Sequence, residues 1–385
     1  VFIAVLGLVG LKIGKWKTSL RKESTFAFLL PIVWLIWQWI SAARSVEPGI
    51  SRATVNHFTA CVSCFFLGWF CLSHAQNFRP VILGIVAGLV LIILVGWNQH
   101  FGGMEETRRF FYAQPNWREY PSEFLQKIAS NRIYSTLFYP NTLAAAILLF
   151  FPVALYGLWI LSSRAAIAVR YGILGVISFG ALGCLIWSGS KSGWLLALFL
   201  SFLGLLQIVF NPRLKKGLVI GLLVIGFGGF ALKYAIFFQR GATSVVARFD
   251  YWRASIEITK RNPLFGTGPG TFAIPYQKVK ASGAEMARLC HNDYLEQASD
   301  SGVLGLLTYT AFVFGSIWLL RPRGFKEPFL FAVWLGVTGN SLHSLVEFNL
   351  YIPALAWPTF LFLGFLWCIR VEETHRQPTD RSLVS

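Results

Sequence analysis

Charge is scarce in this chain. Only 13% of its 385 residues are Asp, Glu, Lys or Arg, and acids are the rarer sign, 17 against 34 bases. A soluble domain carries about 25% charged residues, so ordinary soluble domains are excluded. Strand patterning is missing too. The apolar stretches are continuous, without the short alternating segments of a β-barrel. The 6 cysteines make no framework. Cys61 and Cys64 form a C-x-x-C inside an apolar helix, with Cys71 further along, and this reads as small buried thiols rather than metal or redox chemistry. The chain opens with neither Met nor a signal-peptide pattern. Val1 already stands in an apolar stretch, which reads as a fragment that has lost its first residues.

What is present is apolar and aromatic, 55% and 16% of the residues. Runs of roughly 20 apolar residues, the length of a transmembrane helix, recur along the chain. Eleven are read, at 1–11, 25–43, 57–75, 80–97, 142–161, 169–187, 192–210, 217–238, 303–320, 328–346 and 351–369. The expected fold is therefore all-α, a polytopic transmembrane helix bundle of about 11–12 spans. It forms a single integral membrane domain over 1–385, with two long hydrophilic loops at 98–141 and 239–302.

A net charge of +17 would suggest nucleic acid in a soluble protein. Here the bases sit mainly between apolar runs, which points to orientation and contact with membrane lipids, and no nucleic acid is expected. Lys12, Lys15, Lys17, Arg21 and Lys22 precede the second segment. Alternate loops continue the bias with Arg79, then Arg164 and Arg170, then Arg213, Lys215 and Lys216, then Arg321, Arg323 and Lys326, and finally Arg370, Arg376 and Arg381. The other short loops hold only Arg44, Arg52 and Lys191. The first set is assigned to the cytoplasm, which leaves both long loops outside. One further helix before Val1 would restore an inside start with twelve spans.

The loop 98–141 interleaves Phe110, Phe111, Tyr112, Trp117 and Tyr120 with Arg108, Arg109 and Arg118. That suits an amphipathic segment on the membrane surface, and it also suits a sugar-stacking surface. Arg132 follows, and Pro140-Asn141 marks a helix start. In the short outer connection Ser188–Trp194, Lys191 is a lone cation between apolar helices. It either snorkels to the interface or points into an outer cavity and holds a phosphate beside free helix-start amides.

The second loop carries the longest hydrophilic stretch, 248–302. Arg248 to Arg261 has helical spacing, with Phe249, Trp252, Ile256 and Ile258 apolar and Arg248, Arg253, Glu257 and Lys260 polar. It reads as an amphipathic surface helix ended by Asn262-Pro263. Gly266–Gly270 is a turn; no Lys-Ser or Lys-Thr follows, so it is no phosphate-binding Walker loop. His291-Asn292-Asp293-Tyr294-Leu295-Glu296 leads toward the ninth segment. Lone histidines are usually structural, and His57, His74, His100 and His375 receive no role. His343 has Glu347 one turn later on the same face, which reads as a structural His–Glu hydrogen bond.

Four pieces in this order, RIYSTLFYPNTLA (132–144), SGSKSGW (188–194), RFDYW…NPLFGTGPGTF (248–272) and HNDYLEQASDSGVLGL (291–306), resemble the O-antigen ligase and O-antigen polymerase superfamily of bacterial membrane proteins. The resemblance runs from about 130 to 350. It implies a helical membrane glycosyltransferase of the GT-C type in the bacterial inner membrane. The site would open to the periplasm, and a glycan would move from a polyprenyl-diphosphate carrier to an acceptor without metal or cofactor. The acceptor would be lipid A core for ligases, a growing glycan for polymerases, or a protein Ser or Thr for oligosaccharyltransferases. By resemblance, Arg248 matches the family's essential outer-loop Arg and His291 its essential His. Lys191 stands where ligases commonly have Arg, which keeps the charge and loses the two-pronged contact.

The residue chemistry fits this implication. A diphosphate is a good leaving group when fixed cations hold its developing charge; Arg248 and Lys191, with Arg132 or Arg253 assisting, supply them. A histidine of near-neutral pKa suits the acceptor hydroxyl. His291 is assigned as base, with Asn292, Asp293 or Glu296 supporting it and His343 nearby. Attack opposite the diphosphate would invert the anomeric centre. The competing reading is a transporter of the same lipid-linked glycan, which should carry mid-membrane charges and broken helices. Spans almost free of charge favour the enzyme.

Overall fold

Apolar runs become helices because each backbone polar group must find an intrachain partner where water is absent. The computed structural model describes residues 22–75, 77–120, 122–207, 211–239, 243–322 and 327–376. The expected segment 1–11, most of the basic loop after it, Arg323, Lys326 and Arg381 lie outside the described residues. Among the described residues the fold is all-α with no strand, and eight helices are long and apolar enough to cross a membrane.

The chain divides into two compact units, 1–76 with 234–385 and 77–233. The first unit contains α1 (Lys22–Ala42) and α2 (Pro48–Leu67), the second α3 (Arg79–Asn98), α4 (Met104–Tyr112), α5 (Ser122–Ala129), α6 (Pro140–Leu161), α7 (Ile167–Ser188) and α8 (Lys191–Gln207). The helix α9 (Pro212–Gln239) carries the chain back to the first unit. There follow α10 (Thr243–Arg261), α11 (Ala273–Val279), α12 (Asp293–Leu319), α13 (Pro328–His343) and α14 (Pro353–Arg376). Several helices open on proline in the first turn, at Pro48, Pro80, Pro140 and Pro328, where the missing N–H has no intrahelical partner to lose. One segment read as a span forms a shorter helix, α13 with 16 residues; α8 is described over 17 residues, and 208–210 at the end of its segment lie outside the described residues.

In the first unit, Trp34 of α1 packs on Phe58, Tyr309 and Phe360 at ring separations of 5.0, 5.5 and 5.9 Å. α14 crosses the end of α2 at two glycines. A Cβ on Gly68 would overlap the Leu361 carbonyl, and one on Gly364 the Phe65 carbonyl, so only glycine lets these backbones meet. In the second unit, Leu89, Ile93, Ile147, Ala181 and Leu185 bring α3, α6 and α7 around one core.

The loop 98–141 is folded within the second unit. Phe111 packs on Tyr120 and Phe124, and Tyr112 on Trp117. Arg108 donates to the carbonyls of Ile128 and Ser130, at 2.9 and 2.7 Å, so a cation closes the C-terminal end of α5.

The structure moves one boundary. The ninth segment was read as starting at 303, but α12 starts ten residues earlier, at Asp293. The polar stretch before Gly302 is helical because its side chains find partners inside the first unit. Trp34 Nε1 and Gln38 Nε2 both donate to Gln297 Oε1, at 2.8 and 2.9 Å, and Ser301 Oγ donates to Gln38 Oε1 at 2.6 Å. α12 breaks at Gly302, whose φ of 71° and ψ of −172° only glycine adopts readily. The break accepts the glycine-rich turn: Val303 N donates to Pro263 O, Thr267 N to Ser299 O, and Gly268 N to Asp300 O. Asp300 takes the Gly270 amide at 2.5 Å. Phe265 is held between Trp37, stacked at 5.3 Å, and the Arg44 guanidinium, 4.2 Å from its ring centre. The turn is a structural lock between α1, α10 and α12.

Candidate active site

α10 buries Tyr251, Ala254, Ser255 and Ile258 against Phe272, Tyr276, Ala287 and Cys290. Of the apolar residues read from the sequence, Ile258 is buried in this packing and Phe249 and Ile256 are exposed, at 55% and 46%, which is compatible with a helix lying on a membrane surface. The packing sets Arg248 at the N-terminal half of α10, facing the turn that follows α13.

Arg248 uses three donors there. Its Nε donates to Val346 O and its Nη1 to Ser244 O, both at 3.0 Å, while Nη2 forms an ion pair with Glu347 Oε1. A guanidinium has five N–H donors, so two remain beyond these bonds. The other oxygen of Glu347, Oε2, lies 3.1 Å from His291 Nδ1. One buried carboxylate thus joins the two residues singled out as chemical. Burial by itself would raise the Glu347 carboxyl, but the His291 hydrogen bond and the charges of His291, Arg248 and His343 outweigh it and bring it down to about 2. Sequence reasoning missed Glu347 as a partner of these two.

His291 has a left-handed backbone, φ 54°. A non-glycine residue there is uncommon and must be held by its surroundings. The neighbours do this. Asn292 caps α12, accepting from the amides of Tyr294 and Leu295 at 3.0 Å. Glu296 accepts the Cys290 amide at 2.5 Å, and the Trp252 indole approaches the His291 carbonyl at 3.4 Å. The ring lies beside Tyr251 and edge-on to Phe348, at 5.8 and 4.8 Å. Asp293 ties the far side: its amide donates to Ser344 O and its carboxylate accepts from Leu350 N, both at 2.9 Å, anchoring the turn that carries Glu347. Asn292, Asp293 and Glu296 therefore hold backbone around His291, while the carboxylate at its ring is Glu347. His343 is fully buried, with Nδ1 3.2 Å from the Asn349 amide nitrogen. Cys290 is buried, and burial first, with Glu296 beside it, pushes its thiol well above the ordinary value, which removes it as a nucleophile. Arg253 is exposed on α10.

The other predicted cations belong to the second unit. Arg132 donates from Nε to Ser188 O and from Nη2 to Asn141 Oδ1, both at 2.7 Å, clamping the end of α7 to the start of α6. Lys191 is the first residue of α8. Ser190 Oγ accepts the Gly193 amide at 3.2 Å, so one helix-start donor is already used. The structure brings Arg132 to the turn that carries Lys191.

A fold of long apolar helices defines a polytopic α-helical membrane protein, and within its first unit the buried carboxylate of Glu347 links the partly exposed Arg248 and His291. Residues 176–310, from α7 to α12, match the family model for O-Antigen ligase, the family that the sequence motifs resemble. The match implies a membrane glycan-processing protein with ligase- or polymerase-like activity. A comparison with curated proteins found no match.

Proposed function

We propose that the chain is an O-antigen ligase-like glycosyltransferase. It moves a glycan from a polyprenyl-diphosphate carrier to a hydroxyl of lipid A core or another cell-surface acceptor, at the periplasmic face of the bacterial inner membrane. The observation that carries this reading is the carboxylate of Glu347, joined to Arg248 through one oxygen and to His291 through the other.

A carboxylate only accepts, so the proton of a neutral His291 sits on Nδ1 and the lone pair on Nε2. Nε2 takes the acceptor's proton as its oxygen attacks the anomeric carbon. The bond to the diphosphate breaks with its electron pair, and the diphosphate leaves from the opposite side, inverting the centre. The imidazolium that forms is stabilised by Glu347, and the charge developing on the diphosphate by the remaining donors of Arg248. No step requires a metal. The Arg132–Lys191 turn of the other unit is assigned an anion-holding role of its own, on its charge and its helix start.

Membranes of a strain expressing Arg248→Ala should transfer no glycan, and Arg248→Lys should retain a part, because a point charge replaces the fork. Full transfer by Arg248→Ala would refute the assignment. In a deletion strain, loss of all attached polymer indicates a ligase, and attachment of single units a polymerase.

A further inference from the structure

The histidine given no role at the end of α2 has chemical company. His74 Nε2 lies 3.3 Å from Glu372 Oε1, and Cys368 Sγ lies 3.7 Å from the same oxygen. All three donor atoms fall within 4.8 Å of one another. We propose that His74, Cys368 and Glu372 form a transition-metal site that takes Zn²⁺, with water in the fourth position. The glycan transfer proposed above does not use these residues.

The donor set is one that zinc favours, an imidazole, a thiolate and a carboxylate. Two of the three spacings fit as well. Bonds of about 2.0–2.3 Å in a tetrahedron separate neighbouring ligand atoms by about 3.3–3.6 Å. The two edges at Glu372 match this range to about 0.1 Å.

The surroundings prepare the histidine. Ser73 Oγ donates its one proton to Trp69 O, and it lies 2.8 Å from His74 Nδ1. Its hydroxyl has no second proton, so it accepts the Nδ1 proton. That orients the ring and aims Nε2 at Glu372, 3.3 Å away, with a partner on the other nitrogen as metal-ligating histidines have. The backbone is prepared too. Gly68 and Gly364, where α2 and α14 meet, lie six residues before His74 and four before Cys368. The close crossing fixes the register of the two ends that carry the donors. Both ends adjoin bases, Arg79 and Arg370, that the charge rule assigns to the cytoplasm, a compartment where a thiol stays reduced. With His74 partly exposed, the metal could exchange with solution.

The test uses untagged full-length protein in detergent, stripped of metal. Zinc binding is read by competition with a chromogenic chelator, and cobalt binding by the near-ultraviolet absorption of a thiolate–cobalt bond. One equivalent should bind, with that absorption. His74→Ala and Cys368→Ser should weaken binding at least tenfold, and Cys368→Ser should abolish the absorption. Cys71→Ser, which alters a nearby exposed thiol outside the set, should change neither. The proposal is overturned if the wild type binds no metal and the cluster is a bare imidazolium–carboxylate pair. It is equally overturned if Cys368→Ser keeps affinity and absorption, or if Cys71→Ser removes them.

Discussion

In the proposed mechanism, Glu347 determines which nitrogen of His291 acts as the base. Glu347→Gln preserves the shape, but it turns an amide toward one of two donors and no longer stabilises an imidazolium. Transfer should fall about 10²–10⁴-fold at unchanged protein level; near-normal turnover would mean that His291 works without it. The same carboxyl leaves a signature in stability. Its pKa drops from 4.5 to about 2 in the folded protein. A depressed carboxylate stabilises the fold fully above the unfolded value and loses that contribution as pH falls through the folded one. The contribution is on the order of 3 kcal/mol just above the unfolded value, and it is lost between about pH 4.5 and 2. Thermal unfolding in detergent should show the wild-type advantage over Glu347→Gln shrinking as pH falls through that window. His291 and Arg248 were legible because short motifs mark them. Glu347 was seen only as a neighbour of His343, since helical spacing reaches one turn along one helix. α13 stops at His343, and the partners of Glu347 lie 99 and 56 residues away.

Among the elements, the broken helix α12 sets the geometry around the site. Its first half carries Asp293, Glu296 and Asp300, all fully buried, and each holds a backbone amide of a neighbouring loop. The break at Gly302 lets the glycine-rich turn close over it. A Cβ on Gly302 would overlap the Leu264 carbonyl, in a backbone region that disfavours any side chain. Gly302→Ala should lower the unfolding temperature measurably and reduce glycan transfer with it, whereas Gly283→Ala, at a loop glycine with open space around it, should cost less. Equal effects of the two would refute the lock. The turn at 266–270 was legible from its glycines and its function was not. What it grips is a segment 30 residues on, and polarity made that segment look like loop rather than buried helix.

At the scale of the whole molecule, the long apolar runs were the most legible feature, because roughly 20 unbroken apolar residues have few other uses. Hydropathy does not say which helices pack together, and the division into units at 76 and 233 comes from contacts between distant segments. The proposed orientation can be read directly. Glu285, exposed in the second long loop, replaced by Cys in a Cys71→Ser background, should react with an impermeant thiol reagent applied to cells with a permeable outer membrane. Reaction only after the inner membrane is opened would invert the orientation.

His291, held by Glu347 beside Arg248, is the proposed base of a glycan transfer. The most direct measurement compares surface glycan in a deletion strain carrying the wild-type gene or His291→Ala, with membrane protein quantified in both. Glycan should be restored with the wild type and absent with His291→Ala at equal protein level. Normal glycan with His291→Ala would contradict it.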